Sequence, residues 1–250
     1  MDDCIFKVEN LSFSYGGGFM LNNISFTIGR GDFVGIVGPN GSGKSTLIKA
    51  CLGLIRPHKG NITMFGKDSS KFKQWGLIAY IPQKATAFNQ AFPATVEEVV
   101  AANLYQKIGM GRRLSKEHKE QIDRVLDIVG MKDYRKRLIG RLSGGQQQRV
   151  FIAKALVSDP EIIFMDEPTV GIDYKSEESF YELMEFLNKV KRITLVMVTH
   201  DTGAISSRVN KIACIADGKL YIHDGEGCCD NDICFEAYGG SKIIPLRHNH

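Results

Sequence analysis

A glycine-rich loop containing one lysine is the first group of residues in this 250-residue chain whose types and spacing could perform chemistry. It fits the pattern G-x-x-x-x-G-K-[ST], in which successive backbone N–H groups cradle phosphate oxygens. Lys44 would add a charge for the β- and γ-phosphates, and the Ser45 hydroxyl could bind Mg²⁺. A chance glycine turn is the alternative, but the loop lies between a predicted strand and a predicted helix. The loop residues are Gly38, Pro39, Asn40, Gly41, Ser42, Gly43, Lys44 and Ser45.

Two adjacent carboxylates follow an apolar run, Ile162–Met165, that is short enough to be a buried strand. In a parallel sheet, ligands bind at the carboxyl ends of the strands. Asp166 is therefore expected to hold Mg²⁺ through water, and Glu167 to polarise an attacking water as a general base. An Asp-Glu pair after a strand is more often only solvated. Its position after a phosphate loop in the same chain favours the catalytic interpretation.

A third motif, Leu142-Ser143-Gly144-Gly145-Gln146, could also contact an anion. Ser143 and Gln146 have the spacing of a capping box, so the plain interpretation is a helix start. That interpretation leaves Gly144 and Gly145 unexplained, because glycine is unfavourable in the first helical turn. Glycines suit positions where backbone N–H groups must approach an anion closely.

Composition limits the class of protein without indicating an activity. The chain is 43% hydrophobic and 24% charged with a net charge of +4, which is typical of a soluble globular protein and too mild to indicate nucleic-acid binding. No apolar run approaches the roughly 18 residues of a membrane-spanning helix. The N-terminus lacks the pattern of a signal peptide, so the six cysteines are expected to be reduced thiols. We therefore expect a cytoplasmic chain that does not cross a membrane.

Short strand-like and helix-like segments alternate along the chain, which predicts an α/β fold with a parallel sheet. A helix is predicted from Lys44 to about Leu54, ended by Pro57 and Gly60. Thr95-Val-Glu-Glu98 predicts another helix start. The predicted strands are 5–8, 24–28, 33–37, 62–65, 77–81, 161–165 and 193–198, and the apolar stripes of two further helices are Ile122, Val125, Leu126 and Val129, and Phe180, Leu183, Met184 and Leu187.

The order of these motifs resembles that of the ATP-binding-cassette (ABC) ATPases from about residue 5 to about residue 222. The resemblance implies a P-loop NTPase fold with a parallel-sheet core, an N-terminal antiparallel β-subdomain and an inserted helical subdomain. It also implies an ABC ATPase domain over 1–222, made of a catalytic core (1–87 and 142–222) and a helical subdomain (88–141), followed by a C-terminal tail (223–250).

The resemblance also implies a role for each matching residue. Tyr15 would stack on adenine, and Thr46 would bind nucleotide beside the phosphate loop. Gln83 would touch the Mg²⁺ and the water, and would sense a permease. His200 would contact the γ-phosphate. Asp173 is similar to the D-loop aspartate, although Val170–Tyr174 differs from the usual Ser-Ala-Leu-Asp-Pro, so the backbone path there could differ.

In this family ATP is sandwiched between the phosphate loop of one copy and the signature, Ser143-Gly-Gly-Gln146, of another. The resemblance therefore implies a head-to-tail homodimer that hydrolyses Mg-ATP, with Glu167, His200 and Gln83 as the catalytic residues and Ser45, Gln83 and Asp166 at the metal. It further implies an integral membrane permease, an extracytoplasmic metal-binding protein acting through that permease, and a peripheral location on the cytoplasmic face of the membrane.

Three stretches are similar to the ATPases of metal-ion importers, with the zinc type nearest and manganese and iron types next. They are residues 82–100, 146–153 and 167–173.

Two other classes of function remain as alternatives. One is a soluble ABC ATPase acting on nucleic acid or ribosomes, which is disfavoured because the 59 positions from Gln83 to Leu142 leave no room for a long coiled-coil arm. The other is a nucleotide binder that does not hydrolyse, disfavoured because Glu167 and His200 are both present. In the tail, His223, Cys228, Cys229 and Cys234 could sense zinc or be incidental, since their spacing is not that of a standard structural zinc site.

Overall fold

The computed structural model of the chain describes residues 4–16, 18, 20–83, 93–109 and 113–224. It divides into two compact units, the first comprising Met1–Lys73 and Thr194–His250 and the second Gln74–Ile193. The predicted helical subdomain, 88–141, falls within the second unit, and its boundaries stay a prediction. The tail cysteines that could sense zinc or be incidental, Cys228, Cys229 and Cys234, lie outside the described residues.

The described part of the chain contains ten strands and seven α-helices, with four short 3-10 helices between them. The strands are β1 (Cys4–Phe13), β2 (Leu21–Gly29), β3 (Phe33–Val37), β4 (Lys59–Met64), β5 (Lys67–Asp68), β6 (Ile78–Ile81), β7 (Ile162–Asp166), β8 (Thr194–Val198), β9 (Lys211–Ala216) and β10 (Lys219–Asp224). The helices are α1 (Lys44–Cys51), α2 (Val96–Ala101), α3 (Tyr105–Ile108), α4 (Lys116–Ile128), α5 (Gly144–Leu156), α6 (Tyr174–Lys189) and α7 (Thr202–Ser206).

The first unit contains the expected antiparallel sheet, in the strand order β2-β1-β4-β5. Val8 in β1 lies opposite Phe26 on one side and Ile62 on the other. All three side chains are buried, because alternate residues of these strands face the core. The predicted N-terminal antiparallel β-subdomain is therefore present.

Parallel pairing occurs in both units. In the first, β3 is parallel to β8 on one side and to β9 on the other. In the second, β6 is parallel to β7. Every residue of β3, β7 and β8 is buried, as is usual for parallel strands covered on both faces. Each unit thus contains the parallel pairing that the sequence predicted, and the carboxyl ends of these strands lead into the motifs singled out above.

The helix that follows the glycine-rich loop is shorter than predicted. It ends at Cys51 rather than near Leu54, and neither Pro57 nor Gly60 ends it. Gly53 adopts a left-handed conformation with φ of +69°. Its N–H donates to Ala50 O and the N–H of Leu54 donates to Lys49 O, the two bonds of a Schellman motif. The stop signal is therefore the glycine inside the predicted helix.

Strands β9 and β10 form a hairpin that the sequence analysis did not predict. Its two-residue turn is Asp217-Gly218, with φ of +47° and +73°. Positive φ at both positions is the requirement of a type I′ turn, for which Asp-Gly is a favoured sequence. The signal was therefore present in the sequence.

The predicted helices of the second unit are present. Thr95 caps α2 in a reciprocal capping box with Glu98, and the stripe on α4 buries Ile122, Val125 and Leu126. Among the described residues, no helix has the length and apolar character needed to span a membrane.

Candidate functional site

The glycine-rich loop runs from the end of β3 to the start of α1, and close packing requires two of its glycines, Gly38 and Gly43. A Cβ on Gly38 would lie 2.3 Å from the carbonyl oxygen of Ile215. A Cβ on Gly43 would lie 2.8 Å from Cδ2 of Leu21, and Gly43 has a left-handed φ of +101°. Any larger residue at either position would displace the loop from its neighbours.

Lys44 crosses the loop instead of extending into solvent. Its side chain is buried, and Nζ donates to Gly38 O and Pro39 O, each over 2.9 Å. Hydrogen bonds of this kind offset the cost of burying an ammonium group. The positive charge is therefore held beneath the backbone of the loop.

The loop fits an anionic ligand with several oxygens. The hydroxyl of Ser42 is buried and has no hydrogen-bond partner among the described residues. Glycine positions without Cβ atoms, a fixed ammonium group and a buried hydroxyl together suit the phosphates of a nucleotide. Ser45 is partly exposed at the helix start, and Thr46 is buried with its hydroxyl donating to Sδ of Met20 over 3.3 Å.

His200 follows β8 at the sheet edge where the loop begins. Val198 in β8 pairs with Ile36 in β3, and the N–H of Thr199 donates to Ile36 O over 3.1 Å. The side chain of His200 is exposed. Because Ile36 is two residues before Gly38, this histidine and the loop leave the same edge of the first unit.

Tyr15 lies just after β1 and is 66% exposed. Its ring contacts Phe13 edge-on, with 4.7 Å between ring centroids. One face of the aromatic ring is therefore not used in core packing, which leaves it suitable for stacking on a planar ligand.

In the second unit, Gln83 and Glu167 are hydrogen-bonded. Their strands are parallel, with Ile81 of β6 opposite Met165 of β7, so both residues follow at the carboxyl edge. The side-chain amide of Gln83 donates from Nε2 to Oε2 of Glu167 over 2.6 Å. Two side chains that are 84 positions apart in sequence are thus joined directly.

Asp166 is the last residue of β7 and is only 3% exposed. Burial, together with the negative charge of Asp166, raises the pKa of the neighbouring Tyr80 to about 12. A buried carboxylate at the end of a strand is a hard oxygen donor of the kind that Mg²⁺ prefers. Asp166 therefore has the chemistry of a direct or water-mediated magnesium ligand.

The signature motif begins α5 as predicted, since Ser143 and Gln146 form a reciprocal capping box. Its glycines have different surroundings. A Cβ on Gly145 would lie 2.8 Å from Oγ of Ser176, whereas a Cβ on Gly144 would meet only ordinary contacts at 3.8 Å and beyond. Close packing against Ser176 therefore explains Gly145, and Gly144 is the glycine that leaves an exposed backbone surface.

Asp173 is the N-cap of α6. Its carboxylate accepts hydrogen bonds from the hydroxyl of Ser176 over 2.7 Å and from the backbone N–H of Ser176 over 3.1 Å. These two bonds hold the pKa of Asp173 below its ordinary value. Residues 170–174 differ from Ser-Ala-Leu-Asp-Pro at every position except the aspartate. That aspartate, Asp173, caps the helix that follows.

Sequence reasoning missed one residue near this group. Gln148 is buried in α5, and its Nε2 donates to the carbonyl oxygen of Pro168 over 2.7 Å. Pro168 comes directly after Glu167. The only sequence signal was a pair of glutamines, Gln147 and Gln148, at helix positions that would otherwise be expected to be apolar.

The predicted site residues thus form two groups, one in each unit. The first unit holds Tyr15, the phosphate loop, Thr46 and His200, and the second holds Gln83, Asp166, Glu167, the signature and Asp173.

Comparison with known proteins agrees with this chemistry. A family model described as ABC transporter matches residues 21–170, which contain the phosphate loop, the signature and both carboxylates. The zinc uptake system ATP-binding protein ZurA of Listeria monocytogenes is 49% identical over 221 residues, covering 88% of this chain and 85% of that protein. The manganese transport system ATP-binding protein MntB of Bacillus subtilis is 42% identical over 248 residues, covering 97% and 98%.

Among solved structures, a dimeric ATP-binding cassette in a post-hydrolysis state, bound to ADP and Pi, is similar with a TM-score of 0.72 and 27% identity, covering 88% of this chain and 98% of that one. The P-loop NTPase fold inferred from the sequence is confirmed by this likeness and by the family match. The chain therefore belongs to the ABC transporter family and carries the family's ATP-binding ATPase domain.

Proposed function

We propose that this chain is the ATPase subunit of an importer for a divalent metal ion, and that the ion is zinc. The observation that carries the proposal is the 49% identity to a protein named as a zinc uptake ATP-binding protein. That identity extends over 88% of the chain, so it is not restricted to the nucleotide-binding motifs that all members share.

ATP would bind with its adenine on Tyr15 and its phosphates on residues 38–46. Lys44, fixed beneath the loop by Gly38 O and Pro39 O, would supply positive charge without a large reorganisation. Glu167 would take the proton of the attacking water as general base, and His200 would contact the γ-phosphate. These roles rest on the family pattern together with the local geometry of each residue.

Mg²⁺ would be held by the hydroxyl of Ser45, the side-chain oxygen of Gln83 and the carboxylate of Asp166. Hydroxyl, amide and carboxylate oxygens are the donors that this ion accepts. The ion would neutralise negative charge on the phosphates.

The chain would act as a two-fold dimer in which Ser143–Gln146 of one copy and the phosphate loop of the other enclose ATP. The dimeric relative bound to ADP and Pi supports such an assembly. The dimer would attach to a separate membrane permease on its cytoplasmic face. An extracytoplasmic metal-binding protein would deliver the ion to that permease.

Manganese is the second candidate ion. It is favoured by the 42% identity to a manganese transport ATP-binding protein over nearly the full length of both chains. The ATPase does not contact the transported ion in this scheme, so its own site residues do not discriminate between the two metals.

Uptake measurements would test the proposal. In a strain deleted for this gene, accumulation of radioactive zinc from dilute medium should fall, and the intact chain, but not its Glu167→Gln variant, should restore it. Loss of manganese uptake with normal zinc uptake would assign the second ion. Normal uptake of both metals in the deletion strain would contradict the proposal.

A further inference from the structure

Gln148 is a buried polar residue that has no part in the nucleotide-binding scheme described above. It lies in α5 and is only 3% exposed. Its side-chain amide donates from Nε2 to the carbonyl oxygen of Pro168 over 2.7 Å. Burying an amide costs free energy unless it is hydrogen-bonded, so the bond to Pro168 is what makes this residue tolerable in the interior.

The accepting carbonyl belongs to Pro168, the residue after Glu167. The backbone is strained at Glu167 itself. Glu167 has φ of +47°, in the left-handed region that non-glycine residues seldom occupy. The following proline adds a restriction, because it disfavours helical conformations in the residue before it. Strained conformations of this kind persist only where surrounding contacts hold them. The direction of the Glu167 carboxylate therefore depends on the contacts that hold Glu167 and Pro168 in place.

Hydrogen bonds restrain Glu167 from different sides. One is local, from the N–H of Val170 to Glu167 O over 3.4 Å. Gln83 holds the carboxylate itself through Oε2. Gln148 holds the backbone immediately beyond, and it does so from the helix that begins with the signature. The neighbouring Gln147 is also buried, but its amide donates to Ile139 O and Leu142 O, on the segment before the signature.

We infer that Gln148 is a positioning residue for the general base, holding Glu167 in its catalytic direction through the carbonyl of Pro168. The inference rests on the proposed role of Glu167. The signature and the proposed base are then linked through α5. This helix carries the signature at its N-terminus and, one turn later, Gln148, which holds the carbonyl of Pro168. A displacement of the signature would thus be transmitted to the base of the same copy.

The test is a double-mutant cycle on ATP hydrolysis by the purified chain. Gln148→Met keeps the length and the volume of the side chain and removes the donor. We expect a 10- to 100-fold fall in kcat, which is about the effect of misplacing a catalytic group by a fraction of an ångström to an ångström, with KM for ATP and the nucleotide affinity unchanged. In the Glu167→Gln background the same substitution should leave the residual rate within about twofold, because no base remains to be misplaced.

Gln147→Met is the matched control. It removes a buried amide from the same helix, with comparable loss of stability, but it does not touch the Glu167 backbone. Equal loss of kcat in Gln147→Met and Gln148→Met, or the same fold-loss in both backgrounds, would assign Gln148 a purely structural role and overturn the inference. If Glu167→Gln is slow while Gln148→Met is as fast as the wild type, the inference fails and the proposed base stands. If Glu167→Gln itself is as fast as the wild type, the proposed base fails.

Discussion

Gln83 donates its side-chain amide to Oε2 of Glu167 over 2.6 Å, although the two residues are 84 positions apart. A carboxylate has about four acceptor sites on its two oxygens, so this bond fixes the group and leaves other sites for a water. Gln83 is exposed and Glu167 is partly buried. Any movement of the segment that carries Gln83 would therefore reach the proposed base directly.

Gln83→Ala should leave ATP binding nearly intact and weaken the stimulation of hydrolysis by a reconstituted permease. The reason is that the substitution removes the contact between the segment after β6 and Glu167 without altering the phosphate loop. Nucleotide affinity by fluorescence titration, and ATPase rates with and without permease, would measure the two effects. Loss of nucleotide binding would instead show that Gln83 has a structural role.

Lys44→Ala should abolish measurable ATP affinity, because it removes the cation that is fixed beneath the loop by Gly38 O and Pro39 O. Lys49→Ala is a matched control, since Lys49 is an exposed lysine near the other end of α1. Titration with a fluorescent ATP analogue would compare the two variants. Wild-type affinity in Lys44→Ala would place the nucleotide elsewhere.

Local sequence signals predicted much of the fold and the local structure around the candidate site residues. The capping boxes at Thr95 and Ser143, the phosphate loop and the apolar strands β3, β7 and β8 are all present. Each depends on neighbours within a few residues, or on burial that is visible as a continuous apolar run. Such features can be derived from one sequence because their partners are close along the chain.

Long-range hydrogen bonds could not be predicted in this way. The pairing of Gln83 with Glu167 and of Gln148 with Pro168 depends on the packing of separate elements. The left-handed conformation of Glu167 has no sequence signal either, because glutamate seldom adopts it. The early end of α1 was missed for another reason: Gly53 was inside the predicted helix, and only its backbone conformation shows that it ends there.

His200→Ala should lower the turnover of ATP about 10²-fold while changing its affinity little. A contact to the γ-phosphate strengthens as charge redistributes in the transition state, so its loss affects kcat more than binding. Steady-state kinetics with saturating ATP would measure the change. His118→Ala is a suitable control, because His118 is a partly exposed residue in the first turn of α4, where its side chain completes the capping box of Ser115. An unchanged kcat in His200→Ala would remove His200 from the site.

Asp173→Ala should destabilise the chain near neutral pH, and the difference from the wild type should shrink in acid. The pKa of Asp173 is lowered from its ordinary value of 3.8, first by the hydroxyl of Ser176 and then by its backbone N–H. The folded state therefore favours the charged carboxylate, whose contribution is complete above that value and is lost as pH falls through the lowered pKa. Thermal unfolding of both proteins without nucleotide, from about pH 7 to about pH 3, would measure it. A difference that stays constant would show that the charge is not involved.

Glu167 is the proposed base in an ATP sandwich between two copies of the chain. Glu167→Gln is nearly isosteric, so Asp166, β7 and the phosphate loop should be preserved. Only the carboxylate that accepts a proton from water is lost, a role typically worth about 10²–10⁴ in rate. Bound ATP should then persist and join the phosphate loop of one copy to the signature of the other, and adding Ser143→Arg should separate the copies by blocking that approach.

Sedimentation velocity of Glu167→Gln, with and without Mg-ATP, is the most direct measurement. We expect a monomer without nucleotide, a dimer with saturating Mg-ATP, and a monomer again in the Glu167→Gln, Ser143→Arg double variant. A Glu167→Gln protein that binds ATP and stays monomeric would contradict the ATP sandwich, as would a dimer that forms equally well without ATP.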